Sequence, residues 1–212
     1  MAAQHRSLPT FFLAAAIFSL GWASSASAEE RTFGLRVFVA DVEGEPVVDQ
    51  AWIDERIQWA NRIFEPAELT FTQQVREDLA DEHTDMVSRA DRHALGPLIE
   101  GQRIHVFVVR SLADVDIEGN FIRGVHWRSR RGGPGPGGGQ RHFVILSSIA
   151  GPTVLAHELG HFFGNPHSPT PGNIMSYSRG NGPPFFDAQQ LRRIGRHQER
   201  FVRTEELVVV GD

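Results

Sequence analysis

Apolar residues in this chain recur with two distinct periods. Phe33-Gly-Leu-Arg-Val-Phe-Val-Ala40 is rich in strand-forming residues and predicts a first strand, partly or fully buried. Trp52, Ile53, Ile57, Ala60, Ile63 and Phe64 then return at helical spacing behind Asp49, so a helix is expected with Asp49 as its cap and Pro66 as its stop. Leu69 to Val75 alternates as a second strand. Asp78 to Ile99 is polar and charged, with a short helix expected around Thr84 to Leu95 whose acids, Arg89 and Arg92 face solvent. Arg103 to Val109, Phe121 to Trp127 and Arg141 to Ser147 are further strand-like runs. Val154 and Leu155 open the apolar face of another helix, with Thr153 as its candidate cap. Asp187-Ala188-Gln189-Gln190 has the spacing of a capping box for a last helix through Leu191, Ile194 and on to Phe201, and Leu207 to Val210 closes the chain as a terminal strand or packed tail.

The helix opened by Val154 carries the chemistry. Its sequence runs Val154-Leu-Ala-His157-Glu158-Leu-Gly-His161-Phe-Phe-Gly164-Asn-Pro-His167. Residues four apart on a helix lie on one side, so His157 and His161 can grip one metal ion, with Glu158 beside them. Gly164 can adopt the positive φ that reverses the chain and brings His167 back as a third ligand. Neutral nitrogen donors suit zinc, and three protein ligands leave a place for a water whose pKa the metal lowers to about 7. Five such fixed positions would arise by chance with a probability of order ~10⁻⁴.

With Asn173-Ile174-Met175-Ser176-Tyr177 just beyond the third histidine, the pattern H-E-x-x-H-x-x-G-x-x-H plus a methionine turn resembles the metzincin metallopeptidases. Ser168 and the short step from His167 to Met175 look like matrixins, whereas Met175-Ser176-Tyr177 looks like the astacin and serralysin turn. The resemblance implies an α/β (α+β) metzincin-type catalytic domain: a twisted, mostly parallel sheet with an active-site helix, a Met-turn and a C-terminal helix. It implies Zn2+ held by His157, His161 and His167, with Met175 as an apolar floor and Tyr177 able to reach the zinc or the oxyanion. In that family the sheet's edge strand lies antiparallel to the substrate and can bind an extended peptide, and Phe121 to Trp127 is the candidate here. The activity implied is zinc-dependent endopeptidase cleavage through a zinc-activated water, with Glu158 as general base and a protein or peptide as substrate. A zinc amidohydrolase acting on cell-wall cross-links and a non-catalytic zinc-stabilised binding module are the alternatives, since a fold and metal site do not fix the substrate.

Composition narrows the picture. A length of 212 residues suits one domain plus a removable segment, and a net charge of −5 argues against nucleic acid as a partner. All the strong bases are Arg, and the absence of cysteine leaves stability to the core and a bound metal. Met1 to Ala28 has the anatomy of a signal peptide, with His5 and Arg6, an apolar run from Phe11 to Trp22 and Ala26-Ser27-Ala28 as the cleavage site. That run is shorter than the about 20 residues of a membrane span. The expected division is therefore 1–28 signal peptide and 29–212 metallopeptidase domain, secreted or periplasmic.

Other features carry less. Asp114 to Gly119 opens like a calcium loop, but the position needing Glu is Val125, which excludes an EF-hand and leaves Ca2+ a secondary expectation. Gly132 to Gly139 lacks a phosphate-loop ending and reads as a surface loop. His126 and His142 flank it without the aspartate-rich loop of the matrixins' second zinc, and His105 reads as a sheet histidine. Gly182 to Phe186 could wall a specificity pocket or pack under the last helix.

Overall fold

The computed structural model describes residues 30–129 and 141–211. The expected signal peptide and the Gly132 to Gly139 loop lie outside the described residues. Strands β1 (Arg31–Val42), β3 (Leu69–Leu79), β5 (Ile104–Val109) and β8 (Arg141–Ser147) run parallel, with β1 between β3 and β5 and β8 beyond β5. Antiparallel β7 (Gly124–Ser129) forms the edge beside β8, and β2 (Glu45–Pro46) turns back onto β1. A separate two-strand ladder joins β4 (Asp85–Met86) to β6 (Ser111–Leu112). The helices are α1 (Gln50–Phe64), α2 (Arg89–Ala94), α3 (Val154–Phe162) and α4 (Ala188–Arg203).

The alternation of side chains along each strand explains why the sheet is buried on both faces. Leu35, Val37 and Val39 on β1 register with Ile104, Val106 and Val108 on β5, and the row continues to Val144 and Leu146 on β8. These residues share a core with α1, α3 and α4. The intervening positions Phe38, Phe107 and Phe143 point the other way and pack with Leu79, Met86, Leu95 and Leu112. Helix α1 starts where Asp49 accepts the Trp52 backbone N–H at 2.8 Å, and α4 starts with a complete capping box between Asp187 and Gln190. The tail pairs Val209 with Phe33 as a single antiparallel bridge.

Three local expectations are corrected. The helix expected around Thr84 to Leu95 begins only at Arg89, because Ser88 and Asp91 form a reciprocal capping box there while Asp85 and Met86 are drawn into a ladder. Arg92 does not face solvent: it is 2% exposed, donates to the Ala113 carbonyl at 2.6 Å and lies over the Trp127 ring. An aromatic face and a carbonyl hold a guanidinium that sequence charge alone assigns to the surface. Thr153 makes no side-chain cap, since it already has helical dihedrals when α3 begins.

His105 is a fully buried sheet histidine. Its Nδ1–H donates to the Arg103 carbonyl at 3.0 Å and its Nε2 accepts the Glu100 backbone N–H at 3.1 Å, so the neutral ring is satisfied at both nitrogens. Burial pushes its pKa down from 6.5 to about 4. Between those values an unfolded chain binds a proton that the folded chain refuses. The contribution is therefore intact above about pH 6.5 and is lost as pH falls toward 4. Urea unfolding at pH 7 and pH 4.5 should show the wild type losing about 2–3 kcal/mol more than His105→Gln.

Candidate metal centre

Helix α3 brings His157 and His161 to one side, and its C-terminal turn brings His167 to meet them. Gly164 has φ +85°, its N–H donates to the His161 carbonyl, and the Asn165 N–H donates to the Gly160 carbonyl, both at 2.9 Å. This pair of bonds is a Schellman ending, which needs a left-handed residue after the helix. A Cβ at Gly164 would also fall on the His197 imidazole of α4. Beyond the reversal, the Ser168 N–H donates to the Met175 carbonyl at 2.9 Å and ties the His167 segment to the methionine turn.

The Nε2 atom of His161 lies 3.2 Å from that of His157 and 3.0 Å from that of His167. Among the described residues, these three form the one group of three or more metal-ligating side chains close enough to share an ion. Nδ1 of His157 stands 2.7 Å from the Ile174 carbonyl, and Nδ1 of His161 stands 2.7 Å from the Asn165 carbonyl. A carbonyl can only accept, so both Nδ1 atoms carry the hydrogen and both Nε2 atoms present lone pairs. Burial, the largest influence on each of the three rings, lowers their pKa, that of His161 to about 4, and keeps them neutral. Two facing lone pairs at 3.2 Å cannot hydrogen-bond to each other, whereas a cation between them satisfies both. The donor set therefore fits zinc.

Glu158 is 5% exposed and turned toward β7. A Cβ at Gly124 would lie 2.6 Å from Val154 and 3.0 Å from the Glu158 side chain, so this glycine lets the edge strand approach α3. Burial pushes the Glu158 carboxyl up to about 8, opposed by a hydrogen bond from the His126 backbone N–H. Met175 is fully buried beneath α3, and a Cβ at Gly160 would collide with its sulfur. Tyr177 is 82% exposed, its ring centroid 4.5 Å from that of His167. Partial burial, then the Glu158 and Asp114 carboxylates, holds its hydroxyl above the usual phenol value and leaves it a donor at neutral pH.

The remaining candidates separate from this cluster. His126 and His142 hydrogen-bond to each other at 2.9 Å, and His142 stacks on Phe162. Asp114 accepts the Asp116 and Ile117 backbone N–H groups, while Asp116 pairs with Arg89. Phe186 is buried against Phe64 and belongs to the core, whereas Phe185 stays partly exposed. Sequence reasoning missed the Ile174 and Asn165 carbonyls, because a backbone acceptor has no side-chain signature. Gly44 has φ +86° with open space around it, so it isolates the conformational part of a glycine substitution. Gly44→Ala and Gly164→Ala should each cost about 1–2 kcal/mol for the left-handed backbone, and Gly164→Ala a further about 1–3 kcal/mol against His197, by chemical denaturation.

No family model and no curated protein matches the chain. Solved structures do. Metalloproteinase-II from Bacteroides fragilis aligns at a TM-score of 0.57 and 13% identity over 82% of this chain, which spans only 55% of that one. Mature mirolysin from Tannerella forsythia, solved with a cleaved peptide, aligns at 0.57 and 13% identity over 85% of this chain and 98% of its own. Archaemetzincin from Methanopyrus kandleri aligns at 0.50 and 18% identity over 80% of this chain and 97% of its own. At these identities the likeness is one of fold, and the fold is that of the metzincin-type metallopeptidase catalytic domain.

Proposed function

We propose that this chain is a zinc-dependent endopeptidase. The observation that carries the reading is the convergence of three neutral imidazole Nε2 atoms beside Glu158, along an antiparallel sheet edge. Mirolysin, similar in fold, has been solved with a cleaved peptide, which favours an extended peptide as the class of substrate.

His157, His161 and His167 would hold the ion. Zinc at that position supplies a Lewis acid for the scissile carbonyl and lowers the pKa of a water. The outward backbone groups of β7 are suited to pair with an extended substrate, as an open sheet edge does. Glu158 removes the proton from the attacking water and later delivers it to the leaving amine. Its burial disfavours the carboxylate in the metal-free chain, and a cation at the adjacent histidines shifts the balance back toward the base form. The Tyr177 ring lies against that of His167 and is exposed to solvent, so its hydroxyl is free to donate a hydrogen bond to the developing oxyanion. Export through Met1 to Ala28 is part of the same reading, and an exported chain should begin at Glu29 on N-terminal sequencing.

The decisive test compares wild type with Glu158→Gln. Both should bind one zinc per chain, and only the wild type should cleave an unfolded protein, with the variant down at least about 100-fold. Zinc in both without any cleavage would sink the endopeptidase reading in favour of another amide substrate or a binding role. Tyr177→Phe should lower kcat about 10- to 100-fold with little change in KM, and an unchanged kcat would remove Tyr177 from the mechanism.

A further inference from the structure

We propose that α4, which supplies no ligand, sets the metal affinity of the centre by fixing the two carbonyls that orient His157 and His161, with Gln190 and Arg193 as the positioning residues. The inference rests on the reading of the three histidines as a metal centre.

The first clamp acts on the Ile174–Met175 peptide plane. Its carbonyl accepts the His157 Nδ1–H at 2.7 Å, and its N–H donates to Asn173 Oδ1 at 2.9 Å. Rotation of that plane would break both bonds together. Asn173 is in turn locked to Gln190 by a reciprocal amide pair: Asn173 Nδ2 donates to Gln190 Oε1 at 2.7 Å, and Gln190 Nε2 donates to Asn173 Oδ1 at 3.1 Å. Gln190 Oε1 also accepts the Asp187 backbone N–H at 2.8 Å, so the start of α4 and the methionine turn share one buried hydrogen-bond network. Sequence spacing accounts for Gln190 as a helix cap. It does not account for the amide pair.

The second clamp acts on Asn165. Its carbonyl accepts the His161 Nδ1–H, and its side-chain Oδ1 accepts from Arg193 Nη1 at 3.2 Å. Among the described residues its buried Nδ2 has no partner, so the side chain is held for what its oxygen contacts and not for full satisfaction. Gln190, Arg193 and His197 follow one another at helical spacing of three and four, and His197 is the ring that meets Gly164. One stripe of α4 therefore abuts each backbone element that aims a histidine. Hydrogen-bond partners of this kind fix tautomer and ring direction, and their loss typically costs 10- to 100-fold in metal affinity.

The test is zinc affinity of the full chain by chelator competition, under conditions where circular dichroism shows every metal-free variant folded. Gln190→Met and Arg193→Met should each weaken zinc binding about 10-fold or more, and Arg193→Lys, which keeps a donor, should recover most of the loss. Leu79→Ala, in the core on the opposite face of the sheet, should lower Tm while leaving zinc affinity within about twofold of wild type. Wild-type affinity in both methionine variants overturns the proposal, as does an equal loss in Leu79→Ala. Should Gln190→Met fail to fold, Arg193→Met, at a partly exposed position, decides the matter alone. A wild-type chain that binds no zinc would overturn the metal-centre reading itself, and this inference with it.

Discussion

Three imidazole Nε2 atoms stand 3.0 and 3.2 Å apart, and two of the three rings have their hydrogens committed at Nδ1. Lone pairs at that separation repel unless a cation lies between them, so the fold has to supply the force that gathers them. It does so with backbone. The Ile174 and Asn165 carbonyls fix two rings, and the Schellman turn at Gly164 delivers the third. Since each carbonyl costs little to desolvate once it accepts a hydrogen bond, the polar groups behind the imidazole rings are satisfied.

Close packing follows from the same demand. Around the histidines, three glycines mark places where another element comes within a methyl group's reach: Gly124 under Val154 and Glu158, Gly160 over Met175, and Gly164 against His197. A side chain at any of them would push apart the edge strand, the methionine turn or α4, each of which borders the histidines. The sheet is the rigid base for this arrangement because both its faces are apolar. One row of Leu, Ile and Val supports the three long helices, and a second row of aromatic residues packs on the 79–112 region.

The buried charges fit the same economy. Arg92 is tolerated inside because Ala113 and Trp127 meet its guanidinium, and Arg56 because it donates to the Ala150 carbonyl and lies over Trp52. Both arginines fasten connecting segments: Arg56 the one at Ala150 just before α3, and Arg92 the one at Ala113 just after β6.

Much was legible in the chain alone. Periodicity placed β1, α1, β5, β8, α3 and α4, because local side-chain alternation and capping are properties of short segments. The three histidines were legible for the same reason: helical spacing and one glycine determine where they point. Whatever depended on a partner distant in sequence was not. Arg92 reads as a surface residue until Trp127, brought from a strand 35 positions later, covers it. His126 and His142 read as loose flanks of a glycine run until strand pairing places them side by side. The Asn173–Gln190 pair and the Arg193–Asn165 contact exist only because α4 packs back across the end of α3. The three histidines and the helix that presents two of them can be read from the chain, since both follow from local geometry. Which carbonyls meet the imidazoles, and which helix packs behind them, depends on the folded chain, because backbone acceptors look alike in sequence until folding brings a donor to them.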